Sequence, residues 1–462
     1  MIQRYPSGPN LEKTKKEVIT GISMSLPFDR SEYLSRQGEV FSKLPKPSVA
    51  IIPTNERKIR SNDVSYPFRA NSYMLYLCGW EEDVGTLLAT NLSGNWETTL
   101  FVSDRDTTKE IWEGKRVGVD GAKSWPVDHT SSIQSLDSRI KELSSEVSMI
   151  FTIPGVSSSL DKFLAGITET RDLRTYIDPI RRIKSTSEIE YMQEAALIAS
   201  SAHEKAMRNA QPGMGEWEIQ SEVEGHFLSS LSQWSFPSIV GGGDNATVLH
   251  YKSNNHVIES GDLVLVDAGC EVSGYASDIT RTWPVNGKFS QPQKEIYELV
   301  LRAELAGIEA CQPGVPWVSM HEVVCETIAH GLIELGVLDC TFKEALGRVE
   351  GKPGVFEGQI RNFFMHGTGH FLGLDVHDVG GGRQGDPDSS FLLEPGMVLT
   401  IEPGLYFASW RSDISIPDRY AGIGIRIEDD VLVTEQGPLV LSSSCPKMLD
   451  EIEQIVGKRE ND

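Results

Sequence analysis

Residues 362–378, NFFMHGTGHFLGLDVHD, hold three of the ten histidines of the chain within twelve positions. Neutral imidazole can ligate a metal ion, and imidazole can move a proton near neutral pH, so the density of His366, His370 and His377 indicates a reactive site. For any one of these histidines alone, an ordinary satisfied polar group is the better interpretation. The carboxylates elsewhere in the C-terminal half favour a site.

Four carboxylates lie inside apolar runs of that half. The runs are LVLVDAGC with Asp267, GYASDITRTW with Asp278, MVLTIEPGLY with Glu402 and GIGIRIEDDVLV with Glu428. A carboxylate on a buried strand is costly unless it is paired, hydrogen-bonded or bound to a metal ion. Four that converge with one imidazole would repel one another, and two divalent cations with a hydroxide would balance their charge. Oxygen ligands with one nitrogen suit Mn²⁺, Co²⁺, Zn²⁺ or Fe²⁺.

These residues, with HGTGH, GLDVHD, TIEPGLY and RIEDD around them, resemble the pita-bread metallopeptidases, which include aminopeptidase P, prolidase and methionine aminopeptidase. The resemblance spans residues 180–455. Within the group, residues 278–290 and 445–455 are most similar to the mitochondrial X-Pro aminopeptidase and intermediate-cleaving peptidase branch. The resemblance implies an α/β creatinase-like N-terminal domain, residues 1–180, and an α+β pita-bread catalytic domain, residues 181–462.

The resemblance also implies a cofactor of two divalent metal ions, with Mn²⁺ preferred. Asp267 would hold one ion, and Asp278 and Glu428 would bridge both. His370 and Glu402 would complete the second ion's ligands. A hydroxide held between the ions would attack the first peptide carbonyl of a substrate whose free amine lies beside the metals.

Further residues are assigned from the family pattern. The catalytic set is His250, His366, His377 and Glu402. In it, His250 and His377 would contact the oxyanion, His366 would tune the site, and Glu402 would shuttle a proton. The substrate-binding set is Phe236, His250, His377, Arg383 and Arg426. Phe236 replaces a tyrosine of several relatives, Arg383 lies in the glycine-rich run after His377, and Arg426 would orient a carboxylate.

Composition sets limits on the class of protein. A chain of 462 residues exceeds what one core usually supports, so two domains are expected. The net charge of −23 argues against a nucleic-acid partner. No apolar run approaches the roughly 20 residues that span a bilayer, so an integral membrane protein is not expected. Six scattered cysteines predict reduced thiols.

Local patterns predict several elements. Residues 47–54 and 72–80 are predicted as buried strands, and the turn at Gly94 and Asn95 joins a hairpin. Ser185 and Glu188 form a capping-box pattern that begins a helix. The glycines at 241–243 predict a turn with positive φ, followed by a strand that presents His250.

The leading function is a metal-dependent aminopeptidase that releases one N-terminal residue, from X-Pro peptides, from mitochondrial precursor intermediates after presequence removal, or from both. A prolidase-type dipeptidase and a non-catalytic pita-bread binding module are the alternatives. The predicted partners are peptide or protein N-termini and further copies of the chain, as a homodimer or higher homo-oligomer. The resemblance implies a mitochondrial location, although no intact presequence is visible; cytoplasm or nucleus is the alternative.

Overall fold

The computed structural model describes residues 26–380 and 391–459. They form two compact units that divide between Arg181 and Arg182. None of the helices in the described ranges has both the length and the apolar character needed to cross a membrane. All six cysteines are free thiols, and five of them are buried.

In the described residues the first unit has eight strands, six of which form one mixed sheet. Its strands are β1 Ser48–Pro53, β2 Ile59–Ser61, β3 Val64–Ser65, β4 Gly85–Thr90, β5 Glu97–Val102, β6 His129–Ser132, β7 Met149–Thr152 and β8 Thr170–Asp172. The sheet order is β6-β5-β4-β1-β7-β8, and β2 pairs separately with β3. Its helices are α1 Arg30–Ser42, α2 Ser72–Cys78, α3 Thr107–Glu113, α4 Gly118–Gly121, α5 Leu136–Ser144, α6 Ser158–Ala165 and α7 Arg174–Arg181.

Helix α2 corrects a prediction, because residues 72–80 do not form a strand. The Asn71 side chain accepts a hydrogen bond from the Tyr73 amide at 3.0 Å and begins the helix. Gly79, with φ of 66°, ends it. Most of α2 is buried, and periodicity alone does not separate a buried helix from a buried strand. The hairpin around Gly94 is confirmed, since β4 pairs antiparallel with β5.

The second unit combines long helices with small antiparallel sheets. Its helices are α8 Thr186–Asn209, α9 Glu216–Ser229, α10 Gln291–Glu309, α11 Val318–Glu334, α12 Phe342–Leu346 and α13 Leu449–Ile455. Its strands are β9 Gln233–Trp234, β10 Ile239–Gly242, β11 Leu263–Asp267, β12 Cys270–Val272, β13 Tyr275–Ala276, β14 Thr280–Pro284, β15 Val398–Ile401, β16 Gly404–Phe407, β17 Ile423–Arg426, β18 Asp429–Thr434 and β19 Gly437–Val440. The sheets are β10-β11-β14, β13-β12-β9, β15-β18-β19 and β16-β17.

Helix α8 begins as predicted. Ser185 Oγ accepts from the Glu188 amide, and the Glu188 carboxylate accepts from the Ser185 amide, so the capping box is formed. Helices α8 to α11 bury apolar faces in one core with residues of β10, β11, β14, β16 and β17. This core supports the strand ends that carry the carboxylates.

The glycine run differs from its prediction. Only Gly243 has a positive φ, 55°; Gly241 and Gly242 belong to β10. A Cβ at Gly241 would lie 2.9 Å from the Ala246 amide nitrogen, so glycine permits close backbone approach there. The chain then forms a 3₁₀ helix, Gly243–Thr247, and not the strand expected before His250.

Candidate metal centre

Five side chains predicted as ligands lie around one cavity of about 420 Å³. They are Asp267, Asp278, His370, Glu402 and Glu428. One ligand atom from each of Asp278, His370 and Glu428 lies within 4.8 Å of the other two. His370 Nε2 is 3.4 Å from Asp278 Oδ2 and 4.0 Å from Glu402 Oε1. Residues far apart in sequence therefore meet at one point.

Strand ends place the carboxylates. Asp267 is the last residue of β11 and lies opposite Thr280, the first residue of β14. Asp278 lies just before β14, and Glu428 lies between β17 and β18. The Glu428 amide donates to the Thr280 carbonyl at 3.0 Å, which joins the two halves of the site. Glu402 occupies the connection between β15 and β16.

His370 is held so that one ring nitrogen faces the carboxylates. Its Nδ1 lies 3.0 Å from the Phe371 carbonyl, which can only accept, so Nδ1 carries the proton and Nε2 a lone pair. The loop lies close to β15, because a Cβ at Gly369 would lie 1.8 Å from the Thr400 carbonyl oxygen. The second glycine of HGTGH thus brings His370 to the site.

The electrostatics of the site favour a bound cation. Burial, followed by the charges of Glu428 and Asp267, raises the pKa of Asp278 well above its usual range. Burial and the Glu428 charge raise the pKa of Glu402 to about 8. Burial and the Asp267 charge raise the pKa of Glu428 to about 8. Asp267 Oδ1 and Asp278 Oδ1 are buried with no hydrogen-bond partner among the described residues. The donor set therefore fits a divalent metal ion.

Arg426 positions two of these carboxylates. Its Nη2 donates to Asp267 Oδ2 at 2.6 Å, and its Nε donates to Thr280 Oγ1 at 3.2 Å. Thr280 Oγ1 in turn donates to Glu428 Oε2 at 2.7 Å. Arg426 Nη1 donates to the Tyr406 hydroxyl at 3.0 Å. The guanidinium is thus occupied by protein groups, and the predicted contact with substrate stays a prediction.

His366 is a half-buried, neutral histidine. Its Nδ1 donates to the Gly367 carbonyl at 2.8 Å, and its Nε2 accepts from the Tyr406 hydroxyl at 2.9 Å. Burial and the Arg426 charge lower the pKa of His366 to about 3. Its Nδ1 is 3.7 Å from Glu402 Oε2. His366 therefore lies on the wall of the site beside Glu402.

The remaining predicted residues divide into those at the cavity and one outside the described ranges. The rings of His370 and His377 meet edge to face with centroids 4.3 Å apart. His250 and Phe236 also line the cavity. Arg383 lies outside the described residues.

The comparisons with known proteins bear on the same residues. The family model "Metallopeptidase family M24" matches residues 190–435, and "Aminopeptidase P, N-terminal domain" matches residues 33–151. The chain belongs to metallopeptidase family M24. It is a metal-dependent aminopeptidase that uses divalent ions, and the predicted pita-bread catalytic fold with an α/β N-terminal domain is confirmed.

Relatives of this M24 chain match nearly its full length. A Xaa-Pro aminopeptidase of Haemophilus influenzae is 38% identical over 92% of this chain and 97% of its own. Intermediate cleaving peptidase 55, mitochondrial, of Arabidopsis thaliana is 34% identical over 96% of this chain and 85% of its own. A structure of zinc-substituted Escherichia coli aminopeptidase P in complex with product has a TM-score of 0.85 and 35% identity, covering 93% and 98% of the two chains.

Sequence reasoning missed three residues of this M24 site. The Tyr406 hydroxyl hydrogen-bonds to both His366 and Arg426. Its motif, EPGLY, was recognised, but no role was assigned to the tyrosine. Lys252 lines the cavity two positions after His250. Lys184 forms a buried ion pair with Asp378, next to His377. A local pattern could have found Tyr406, but the two lysines carry no sequence signal.

Proposed function

We propose that this chain releases one N-terminal residue from peptides whose second residue is proline, and that it also trims mitochondrial precursor intermediates. The observation that carries the proposal is the convergence of His370 with three buried carboxylates and the half-buried Glu402, where two carboxylate oxygens have no hydrogen-bond partner among the described residues. The near full-length similarity to the Haemophilus and Arabidopsis relatives supports the two substrate classes.

The cofactor would be two divalent ions, with Mn²⁺ preferred, held by Asp267, Asp278, His370, Glu402 and Glu428. Such ions lower the pKa of a water molecule and so supply a nucleophile near neutral pH. The ordinary preference of Mn²⁺ for carboxylate oxygen with some imidazole supports this choice.

The side chains around the ions would bind and orient the peptide. The acidic end of the cavity attracts the free α-amine of the first residue. His250 and His377, both on the cavity wall, would donate hydrogen bonds to the carbonyl oxygen as negative charge develops on it. His366 is neutral, with its proton on Nδ1, and this nitrogen lies 3.7 Å from Glu402 Oε2. The ring therefore lies beside the Glu402 carboxylate without adding a positive charge to the site.

Glu402 would deliver the proton that the leaving group needs. Any amide nitrogen leaves as a stable amine only when a proton reaches it, and the nitrogen of an X-Pro bond, which carries no hydrogen, then leaves as the secondary amine of proline. The Glu402 carboxylate lies within the cavity, 3.7 Å from His366 Nδ1, so it is placed to pass a proton to the leaving proline nitrogen.

The organisation of the chain is part of the proposal. Residues 1–180 would form the creatinase-like domain and residues 181–462 the catalytic domain, and the matches to residues 33–151 and 190–435 support this. The working form would be a homodimer or larger homo-oligomer. Its location would be the mitochondrion, which the similarity to the mitochondrial Arabidopsis peptidase supports; the cytoplasm or nucleus is the alternative. Light scattering and cell fractionation test these points.

The activity test uses the Mn²⁺-loaded chain with three substrates: Tyr-Pro-Ala-Ala, Tyr-Ala-Ala-Ala and the dipeptide Tyr-Pro. Products are weighed by mass spectrometry, with a chelator-treated sample as control. Release of tyrosine from Tyr-Pro-Ala-Ala supports aminopeptidase P chemistry, and release from Tyr-Ala-Ala-Ala as well supports precursor trimming. Cleavage of the dipeptide alone would favour prolidase chemistry, and no cleavage of any substrate would overturn the proposal.

A further inference from the structure

One cation at the active-site cavity is not used by the chemistry described above. Lys252 lines the cavity together with His250, and its residue is exposed, so its ammonium lies at the mouth and not at the metal centre. The other ionisable side chains of the lining are the four carboxylates of the site, four histidines and Arg426. A positive group therefore stands on the solvent-exposed side of a cavity whose buried carboxylates belong to the metal centre.

The loop that carries Lys252 is rigidly anchored. The Glu216 carboxylate is fully buried and accepts four hydrogen bonds from it, at 2.8 to 2.9 Å: from the amides of Gly242 and His256, the Asn245 side chain and the Tyr251 hydroxyl. A buried carboxylate satisfied by four donors holds its partners in one arrangement. The loop is therefore preorganised.

The alternation of side chains directs Lys252 to the cavity. His250 and Lys252 line it, whereas Tyr251 between them turns to Glu216. Two positions later the Asn254 side chain is buried and accepts from the Val240 amide at 3.1 Å while donating to the Ser238 carbonyl at 2.8 Å. Because Tyr251 and Asn254 are anchored on either side, the backbone at Lys252 is held so that its side chain leaves toward the cavity.

Lys252 differs from the other cation of the lining. The Arg426 guanidinium is occupied by Asp267, Tyr406 and Thr280. Lys252 forms no ion pair with a carboxylate in residues 26–380 or 391–459. A lysine without a partner, on a rigid loop beside a substrate cavity, is available to a charge on the ligand.

We propose that Lys252 forms a subsite for a carboxylate on the leaving side of the peptide, beyond the scissile bond. This inference rests on the proposed function, because the amine at the acidic end directs the rest of the peptide toward the mouth. The carboxylate is an Asp or Glu side chain at the third residue, or the C-terminus of a short peptide. In a chain of net charge −23, which repels acidic peptides generally, one such cation offsets part of that repulsion at the cavity.

The test compares three tripeptides that differ only in that charge: Ala-Pro-Glu-amide, Ala-Pro-Gln-amide and Ala-Pro-Gln with a free C-terminus. The ratio of kcat/KM, each carboxylate peptide over the neutral amide, is measured for the Mn²⁺-loaded full chain and for Lys252→Met and Lys252→Glu. We expect a ratio of about 3 in the unmodified chain, the size that one exposed charge pair supports. Lys252→Met brings the ratio to about 1, and Lys252→Glu brings it below that.

A matched control and the outcomes separate the possibilities. Lys343→Met removes one exposed positive charge from α12, so an unchanged ratio there excludes an effect of net charge. A preference for the glutamyl amide identifies the side chain as the ligand, and a preference for the free acid identifies the C-terminus. Equal ratios in the unmodified chain and Lys252→Met overturn the subsite. If none of the three peptides is cleaved, the proposed function fails and this inference fails with it.

Discussion

Asp278 has the least favourable environment of the site in the absence of a cation. Its side chain is buried, and its Oδ1 has no partner among the described residues. The negative charges of Glu428, Asp267 and Asp430 repel the ionised carboxylate. Its amide donates to Asp430 Oδ1 at 3.2 Å, so the backbone cannot move the carboxylate away. A divalent ion is the group that satisfies such an arrangement.

The first prediction concerns this residue. Asp278→Asn keeps the shape and removes the charge, so we expect loss of bound metal together with activity, beyond the roughly 100-fold that loss of an outer-shell partner costs. His377→Ala, which lines the same cavity, is the matched variant and should keep its metal while kcat falls about 100-fold. Metal content by plasma mass spectrometry and steady-state kinetics measure both. Full activity in a metal-free Asp278→Asn chain would reject the metal centre.

The second prediction concerns buried His203 on α8. Burial lowers the pKa of His203 from 6.5 to about 4, so the unfolded chain binds the extra proton between these values. Stability from the neutral ring is therefore complete above pH 6.5 and falls as the pH drops toward 4, by about 2 kcal/mol at pH 5. His203→Gln keeps a donor for the Ala268 carbonyl, now 3.0 Å from Nε2, and removes the titration. Urea unfolding at pH 7.5 and 5.0 should show a smaller difference for the variant; an equal difference would contradict this.

At the scale of elements, the segment 371–380 brings His377 to the site, and a distant lysine holds it. Lys184 Nζ lies 2.9 Å from Asp378 Oδ2, and both side chains are 1% exposed. Gly373 makes room for the pair, because a Cβ there would lie 2.2 Å from Asp378 Oδ2. Since Asp378 follows His377 directly, the ion pair sets where the His377 ring meets His370.

The third prediction tests that arrangement. Lys184→Met leaves Asp378 buried without its charge partner, so we expect lower stability by about 3 kcal/mol and a fall in kcat of about 10-fold. If Lys184 acts through His377, its effect on kcat should vanish in a His377→Ala background, a non-additive double-mutant cycle. Lys205→Met, at a lysine 51% exposed, is the control and should change neither quantity. Additive effects on kcat would make the ion pair purely structural.

At the scale of the molecule, a bound metal ion is expected to stabilise the fold of the second unit. Without a cation, repulsion among the buried carboxylates lowers the stability of the folded chain, and a bound cation removes this repulsion. A metal ion that binds the folded chain and not the unfolded chain therefore increases the free energy of unfolding.

The fourth prediction follows from this linkage. Adding Mn²⁺ at 100 times its dissociation constant to chelator-treated chain should stabilise the fold by about 2.7 kcal/mol and raise the thermal midpoint by several degrees. His377→Ala should show the same shift and Asp278→Asn almost none. A similar shift in the Asp278→Asn chain would place the ion elsewhere.

Much of the site follows from residue type and order. The five residues predicted as ligands line one cavity, since a carboxylate inside an apolar run must be paired, hydrogen-bonded or bound to a metal ion. The capping box at Ser185 and the hairpin at Gly94 were also readable, since both depend on a few adjacent residues. Residues 72–80 were not, because a short segment buried on all sides has no periodic pattern to distinguish helix from strand.

The sequence by itself determined the family and enzyme class of this protein, and it predicted the donor set and some local elements, because these depend on residue type and order. Only the tertiary structure decided which side chains support that chemistry. Tyr406 joins His366 to Arg426, Glu216 anchors the loop of Lys252, and Lys184 meets Asp378 across 194 positions. Such contacts follow from the packing of the whole unit, which leaves no periodic trace in the sequence around either partner.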